Sequence, residues 1–295
     1  MKYHFIIASL FILSFGAAAQ QPVQAGKETK TLQNKKNILD HATIRCAYLF
    51  TKKTNAADQS PRRDTQFLEI GTKISRFYDP ARLGRDSILV TSVNNKSPQD
   101  IKSMSIYDEQ SPIDISKMQG TIGSRQAEGE SYQIYKGRTA GKITVVDYAD
   151  VLSKPFQYED ETGVLPWKIL TGTDTILSYT CQKAVLNFRG RNYTAWFTTD
   201  IPVNDGPWKF SGLPGLILKV EDQQQLFSFT LIGIEQLKNP KPILMNEAEH
   251  IKCSRSDFEK QKKKAGGGVL YNFTAGNMII AKVPANNSYQ SMELE

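Results

Sequence analysis

The sequence has 295 residues, a formal net charge of +7 and three cysteines. This length fits one large β-rich domain or two small ones, and the small, odd number of cysteines argues against a disulfide-scaffold protein. Part of the positive charge lies in two runs, 27–36 and 260–264, which are typical of solvated surface. No recognition module for nucleic acid accompanies them, so we expect no nucleic-acid partner.

The first 19 residues have the pattern of a cleaved signal peptide. Lys2 precedes an apolar run over 5–15, and small residues follow, which places cleavage between Ala19 and Gln20. The apolar run has about 11 residues, whereas a membrane-spanning helix needs about 20. We therefore expect an exported protein, periplasmic or secreted, that does not span a membrane.

Three further segments are predicted beyond the signal peptide. Polar composition predicts a disordered N-terminal segment over 20–40. Apolar residues that alternate with a period of two predict an antiparallel β domain over 41–237, with a polar insertion near 94–130. A C-terminal extension is predicted for 238–295, with a helix near 254–264 that a serine caps and a run of glycines ends.

Short alternating segments within the β domain predict a first strand and then pairs of strands. The predicted segments are 42–50; 65–79, with a turn at Gly71-Thr72; 132–136 with 142–148; 181–199, with a turn at Gly190; and 215–221 with 225–235. No long helices alternate with these strands, which argues against a doubly wound parallel sheet. The predicted fold class is mainly β: a curved antiparallel sheet, half-barrel or sandwich-like, with one or two short helices.

The stretch WKFSGLPGLILKVED, which begins at Trp208, contains a turn followed by a strand. Leu213-Pro214-Gly215 predicts a type II turn in which Gly215 takes a positive φ. Since proline occupies the turn and a strand follows it, the stretch is not a phosphate-binding loop. Trp208 and Phe210 alternate with other residues, which fits either a packed sheet face or the wall of a ligand site. Packing is the more common role of large aromatic side chains.

This stretch resembles the name motif of the GLPGLI family of exported Bacteroidetes-type proteins. FLEIGTKISRFYD, DTILSYTCQKA, FRGRNYTAWFT and FSFTLIGIE follow the order that this family uses, and the resemblance covers about 67–237. The family has no established biochemical function, so the resemblance implies an envelope location and a β-rich domain, and it transfers no catalytic residue. The order of motifs and strands from Thr180 to Leu216 is also similar to that of the lipoprotein-carrier half-barrels. This similarity implies an open sheet that binds acyl chains on its concave face.

Residues suited to catalysis or metal binding are sparse. Beyond the signal peptide only His41 and His250 remain as histidines, and no Gly-x-Ser-x-Gly elbow occurs. A metal site would require these histidines to meet Cys46 and Cys253 in space. One internal disulfide is compatible with export, and the sequence does not select its pair from Cys46, Cys181 and Cys253. We predict no catalytic residue, no cofactor and no metal.

The sequence therefore predicts a non-catalytic envelope protein that binds a hydrophobic or amphipathic ligand, such as a lipid, or an outer-membrane partner protein. The predicted surface for the ligand or family motif consists of aromatic and turn residues: Trp196, Trp208, Phe210, Gly212, Leu213, Pro214, Gly215 and Leu216. Two alternatives stay open. One is a structural assembly module, which would have a filled interior instead of a pocket, and the other is a hydrolase that uses His41 or His250.

Overall fold

The computed structural model describes residues 36–94, 103–107, 129–138, 141–149, 154–246, 250–265, 269–274, 277–282 and 290–294. These described residues contain fifteen strands and two helices. The strands are β1 Lys36–Lys52, β2 Arg62–Ile70, β3 Ile74–Tyr78, β4 Ser103–Tyr107, β5 Gln133–Gly137, β6 Lys142–Asp147, β7 Phe156–Glu161, β8 Lys168–Ile176, β9 Tyr179–Phe188, β10 Arg191–Thr198, β11 Leu216–Asp222, β12 Phe227–Asn246, β13 Ile251–Lys252, β14 Val269–Thr274 and β15 Asn277–Lys282. The helices are α1 Pro80–Asn94 and α2 Arg255–Ala265.

Twelve of the described strands form one open sheet in the order β13-β7-β6-β5-β3-β2-β1-β12-β11-β10-β9-β8. The long antiparallel pair of β1 and β12 lies at its centre, and antiparallel neighbours extend to both sides. Strand β13 adds a parallel edge to β7. A second sheet of three described strands has the order β14-β15-β4. The predicted fold class, a mainly β protein with a curved antiparallel sheet and two helices, is confirmed.

We call the face of the large sheet that carries Cys46, Tyr48 and Phe50 of β1 its inner face, and the opposite face its outer face. The inner face holds the main hydrophobic core, to which strands from both halves of the sheet contribute. The Phe50 ring stacks on Phe229 with 4.7 Å between centroids, and the Tyr48 hydroxyl donates a hydrogen bond to the Ile217 carbonyl at 2.7 Å. The sheet therefore curves around one shared core, whose burial is the main force that stabilises it.

The β9–β10 hairpin confirms the prediction of paired strands over 181–199 with a turn at Gly190. Arg189 and Gly190 have φ angles of 46° and 79°, as the central residues of a type I′ hairpin turn require. Inward and outward side chains alternate along both strands. The predicted pairs β2–β3, β5–β6 and β11–β12 are also present.

The helix predicted near 254–264 is α2, and its cap is Ser254. The Asp257 backbone N–H donates to the Ser254 hydroxyl oxygen at 3.1 Å, and the hydroxyl donates to the Asp257 carboxylate at 2.7 Å. The serine satisfies a backbone donor that would otherwise lack a partner at the start of the helix.

The N-terminal part of β1 corrects one prediction. The strand begins at Lys36, so the prediction of a disordered segment over 20–40 is wrong for residues 36–40. These residues pair with the last residues of β12, which satisfies their backbone hydrogen bonds. The predicted signal peptide over 1–19, its cleavage site at Ala19 and Gln20, and the remainder of the N-terminal segment lie outside the described residues.

The predicted domain boundary at 237 also requires correction, because β12 runs through it without a break. The end of the chain is likewise part of the same unit. The Tyr193 hydroxyl donates to the Met292 carbonyl at 2.6 Å, and the Leu294 N–H donates to the Arg189 carbonyl at 2.9 Å. The described residues from Lys36 onward belong to one compact unit.

Helix α1 is not among the predicted elements, and it begins before the polar insertion predicted near 94–130. Asp79 caps it, since its carboxylate accepts the Arg82 backbone N–H at 2.9 Å. Within the insertion, β4 is a strand, whereas residues 108–128 lie outside the described residues. None of the helices in the described ranges is long and apolar enough to cross a membrane.

Candidate functional site

Four residues of the predicted ligand surface are buried in the main core. Trp208 is 4% exposed, and Phe210, Leu213 and Leu216 are at most 1% exposed. The Phe210 ring centroid lies 5.1 Å from Trp208 and 4.8 Å from Tyr193. These four side chains therefore pack in the core, which is the more common of the two roles considered for Trp208 and Phe210, and they do not form the wall of a ligand site.

The inner face leaves little space around these aromatic residues. The cavity beside Trp208 and Lys209 has a volume of about 50 Å³, whereas ligand pockets usually have roughly 300–1,000 Å³. Such a space can hold water but not a lipid.

Trp196 lies apart from the other aromatic residues of the predicted surface. Its cross-strand neighbours are Lys183 and Lys219, whose ammonium groups lie 5.9 Å and 4.6 Å from the Trp196 ring. The residues on either side of it in β10, Ala195 and Phe197, are fully buried. Trp196 is thus half-buried on the outer face and does not share a surface with Trp208.

The Gly-Leu-Pro-Gly turn differs from the type II turn that the sequence predicts. The Gly215 N–H donates to the Leu213 carbonyl at 2.8 Å, which closes a three-residue turn, and the positive φ, 98°, belongs to Gly212. Gly215 is required for a different reason: a Cβ there would lie 1.9 Å from the Thr198 carbonyl oxygen. Pro214 is exposed.

A buried ion pair holds the loop before this turn against β5. Lys136 Nζ lies 2.6 Å from Asp205 Oδ1, and it also donates to the carbonyl oxygens of Gly206 and Phe210. Burial lowers the pKa of Lys136. Burial and the nearby Asp205 carboxylate raise the pKa of Cys46 to about 12, so this thiol stays protonated and is a poor nucleophile.

A second buried cluster joins the loop to β7 and to the C-terminus. Lys209 Nζ lies 2.8 Å from Asp160 Oδ2 and 2.7 Å from Glu293 Oε1. Arg189 pairs with both carboxylates, and Arg255 lies 3.1 Å from Glu293. Burial opposes ionisation of Asp160, but its hydrogen bonds to Arg189 and Lys209 outweigh burial and lower its pKa. Each carboxylate has several cationic partners, so we interpret the cluster as structural.

A cavity of about 540 Å³, which we call the outer cavity, lies on the outer face. Its floor is formed by residues of β3, β5 and β6, one wall by α1, and another by the end of β12 with His250. Tyr78, Tyr135 and Tyr148 line it together with Leu83, Leu244 and Met245. Aromatic and aliphatic walls with a few polar groups are the usual composition of a small-molecule site.

The pairing of β3 with β5 places the residues of the cavity floor next to one another. Arg76 of β3 pairs with Tyr135 of β5, and Tyr78 pairs with Gln133. The Tyr135 hydroxyl donates to the Leu244 carbonyl at 2.9 Å, which joins the floor to the β12 wall. This site is not among the predicted ones, although the alternation around Phe77 in KISRFYD places Arg76 and Tyr78 on the face opposite the core.

Hydrogen bonds and burial hold the tyrosine hydroxyls of the floor in their protonated form. The Tyr78 hydroxyl donates to Glu69 Oε1 at 3.2 Å. Burial, with the Glu69 carboxylate as the next cause, raises the pKa of Tyr78 to about 12. Burial also raises the pKa values of Tyr135 and Tyr148. The cavity therefore offers neutral aromatic rings at physiological pH.

The three carboxylates that line the outer cavity already have partners. Asp79 caps α1, and Asp86 Oδ1 lies 2.8 Å from Arg82 Nε. Glu130 pairs with Lys52 and Arg62. Burial opposes ionisation of Glu130, but these two cations lower its pKa.

The histidines and cysteines do not come together as a metal site. The imidazole of His250 lines the outer cavity and contacts Gln157 Oε1 at 2.8 Å, and burial lowers its pKa. His41 is exposed on β1. All three cysteines are free thiols, and within the part of the chain that the structure describes, no group of three or more His, Cys, Asp or Glu side chains could hold a metal ion.

Comparisons with known proteins give a family match over the motif region and two similar solved structures. Residues 188–219, which include the motif turn, match a family described as "Protein of unknown function (Porph_ging)". Crystal structures of PNGF-II in space groups C2 and P21 are similar to this chain, each with 12% identity and a TM-score of 0.49 over 79% of its length. The chain spans about a third of those structures, 35% of their length. No curated protein matches significantly.

Proposed function

We propose that this chain is an exported, non-catalytic binding protein of the GLPGLI family and that it holds an amphipathic small molecule in the outer cavity. The observation that carries the proposal is the 540 Å³ volume of that cavity. This volume lies within the usual range for ligand pockets, roughly 300–1,000 Å³. Export and an envelope location rest on the signal-peptide pattern of the N-terminus.

The lining of the outer cavity favours an amphipathic ligand. Leu83, Leu244 and Met245 offer apolar surface, whereas Arg76 and the tyrosine hydroxyls offer polar groups. An apolar body with one polar end would satisfy both parts of the lining, because a buried polar group that finds no partner is unfavourable.

A non-catalytic role is supported by the chemistry of the same region. The imidazole of His250 contacts an amide, Gln157, whereas a hydrolase triad orients its histidine with a carboxylate. The buried Cys46 thiol has a pKa of about 12 and lies on the inner face, away from the cavity. These features favour binding over hydrolysis.

Native mass spectrometry of the chain, purified from its source cells without detergent, tests the proposal. We expect a bound small molecule that leaves on denaturation. Gly84→Trp should abolish the bound species, because Gly84 lines the cavity and a Cβ there meets no atom within 4 Å. Gly84→Ala is the matched control and should retain it. A bare wild-type mass would contradict the proposal and favour the structural module, and an adduct that persists in Gly84→Trp would place the ligand elsewhere.

A further inference from the structure

Arg76 is a buried cation in the floor of the outer cavity. Its residue is 8% exposed, and it lines the cavity from the centre of β3. The guanidinium lies 4.0 Å from the centroid of the Tyr78 ring, and Nη2 donates to Gln133 Oε1 at 2.7 Å. Ring and amide therefore hold the guanidinium in one orientation, as a preorganised recognition group requires.

The protein uses only part of the hydrogen-bonding capacity of Arg76, through Gln133 and the Tyr135 hydroxyl. Its Nε is buried and has no hydrogen-bond partner, and among the described residues Arg76 makes no ion pair. Nη2 carries two N–H groups, of which the bond to Gln133 uses one. A buried guanidinium without a counter-ion is unfavourable, so these donors point to an anion that the protein itself does not supply.

Glu69 does not provide that anion, although it is the cross-strand neighbour of Arg76. Its Oε1 lies 2.8 Å from Arg45 Nη2 and accepts the Tyr78 hydroxyl. Arg45, Glu69 and Arg76 are neighbours across β1, β2 and β3 on the outer face. These three side chains comprise two guanidinium groups and one carboxylate. The surplus positive charge lies on the cavity side, because Arg76 lines the cavity and Arg45 does not.

We propose that Arg76 binds the carboxylate of an amphipathic monocarboxylate, whose apolar part lies against Leu83, Leu244 and Met245. This inference rests on the proposed function and names the chemical class of the ligand. The planar guanidinium matches the planar carboxylate, and charge-assisted hydrogen bonds of this kind are the stronger ones. The single negative charge of a carboxylate balances the charge of Arg76. A phosphate dianion would carry one more negative charge, which the carboxylates of Asp79 and Asp86 in the same cavity would repel.

Calorimetric titration of the full chain with octanoate and with octanol tests this inference. The two probes share an apolar chain and differ in charge. We expect octanoate to bind roughly tenfold or more tightly than octanol, since a hydrogen bond to a charged group adds about that much. In Arg76→Gln the ratio of the two affinities should fall to about one. Lys183→Gln, which removes a cation from the outer face at β9, is the control and should keep the wild-type ratio.

Each outcome of the titration decides a different point. Equal binding of both probes to the wild type would overturn the carboxylate inference and leave the proposed function standing. Selectivity that survives in Arg76→Gln would overturn the role of Arg76. If neither probe binds the wild type, the proposed function fails and the inference fails with it. If Arg76→Gln does not fold, the nuclear magnetic resonance signal of the Arg76 Nε–H group in the wild type replaces that variant. This signal should shift with octanoate and stay unchanged with octanol. No shift with octanoate would overturn the role of Arg76.

Discussion

Lys209 Nζ lies 2.8 Å from Asp160 Oδ2, and both side chains are 3% exposed. The contact joins the aromatic loop to β7, and the second bond of Lys209, to Glu293, joins both to the C-terminus. Three segments that are distant in sequence therefore depend on one buried cluster of charges. Removing one partner of such a cluster leaves another charge buried without full compensation, which is strongly destabilising.

Asp160→Asn should lower the free energy of unfolding by about 3 kcal/mol. Lys209 and Arg189 would lose a charged partner in a buried site, although Glu293 would still contact both. Urea denaturation measures the effect. Glu159→Gln, next to it on the exposed side of β7, is the control and should change stability by no more than about 0.5 kcal/mol. Equal effects of the two substitutions would show that the cluster contributes little.

The stabilisation by Asp160 should depend on pH. Its pKa in the folded protein is lowered from 3.8, so the unfolded state takes up a proton before the folded state does as the pH falls. The contribution is thus complete above the unfolded-state pKa and is lost as the pH falls from about 3.8 through the folded-state value. The difference in unfolding free energy between wild type and Asp160→Asn should shrink over that window. A difference that stays constant with pH would contradict this account.

Trp208→Ala and Phe210→Ala should each destabilise the protein by about 3–5 kcal/mol, because each removes a large side chain from a filled core. Trp196→Ala, on the outer face, should cost about 1 kcal/mol. Thermal or urea unfolding compares the three variants. If Trp208→Ala and Phe210→Ala kept wild-type stability, these rings would not be core residues.

Gly215→Ala should destabilise the protein by about 3 kcal/mol or prevent folding, since the added Cβ would lie 1.9 Å from a backbone carbonyl oxygen. Gly84→Ala makes the same chemical change in helix α1, where the Cβ has open space, and should raise stability by up to about 1 kcal/mol. Circular dichroism during urea unfolding measures both. Similar effects at the two positions would mean that the close approach at Gly215 is not a constraint.

Local patterns in the sequence were enough to predict most strand pairs. The alternation in 181–199 and the turn at Gly190 specify the β9–β10 hairpin, and Ser254 specifies the start of α2. Helix α1 is absent from the predicted elements, although Asp79-Pro80 has the features of a helix start: a capping side chain is followed by proline at the first helical position. The sequence therefore contains the information needed to predict the start of this helix.

The candidate site could not be predicted in the same way, because it depends on contacts between distant segments. Arg76 and Tyr135 are neighbours only through the pairing of β3 with β5, and Leu244 arrives from the far end of β12. The density of aromatic side chains in the motif fits a pocket and a core equally well, so the sequence alone also predicts a ligand surface there. The burial of Trp208 and Phe210 in the main core distinguishes these roles.

The most direct test of the central claim is to locate octanoate on the protein by nuclear Overhauser effects. The measurement uses carbon-13-labelled octanoate and a chain labelled selectively at its aromatic residues. We predict contacts from the octanoate methylene groups to the ring protons of Tyr135 and Tyr148, which line the outer cavity. Contacts to Trp208 or Phe210, or no contacts to the cavity tyrosines, would contradict a binding site on the outer face.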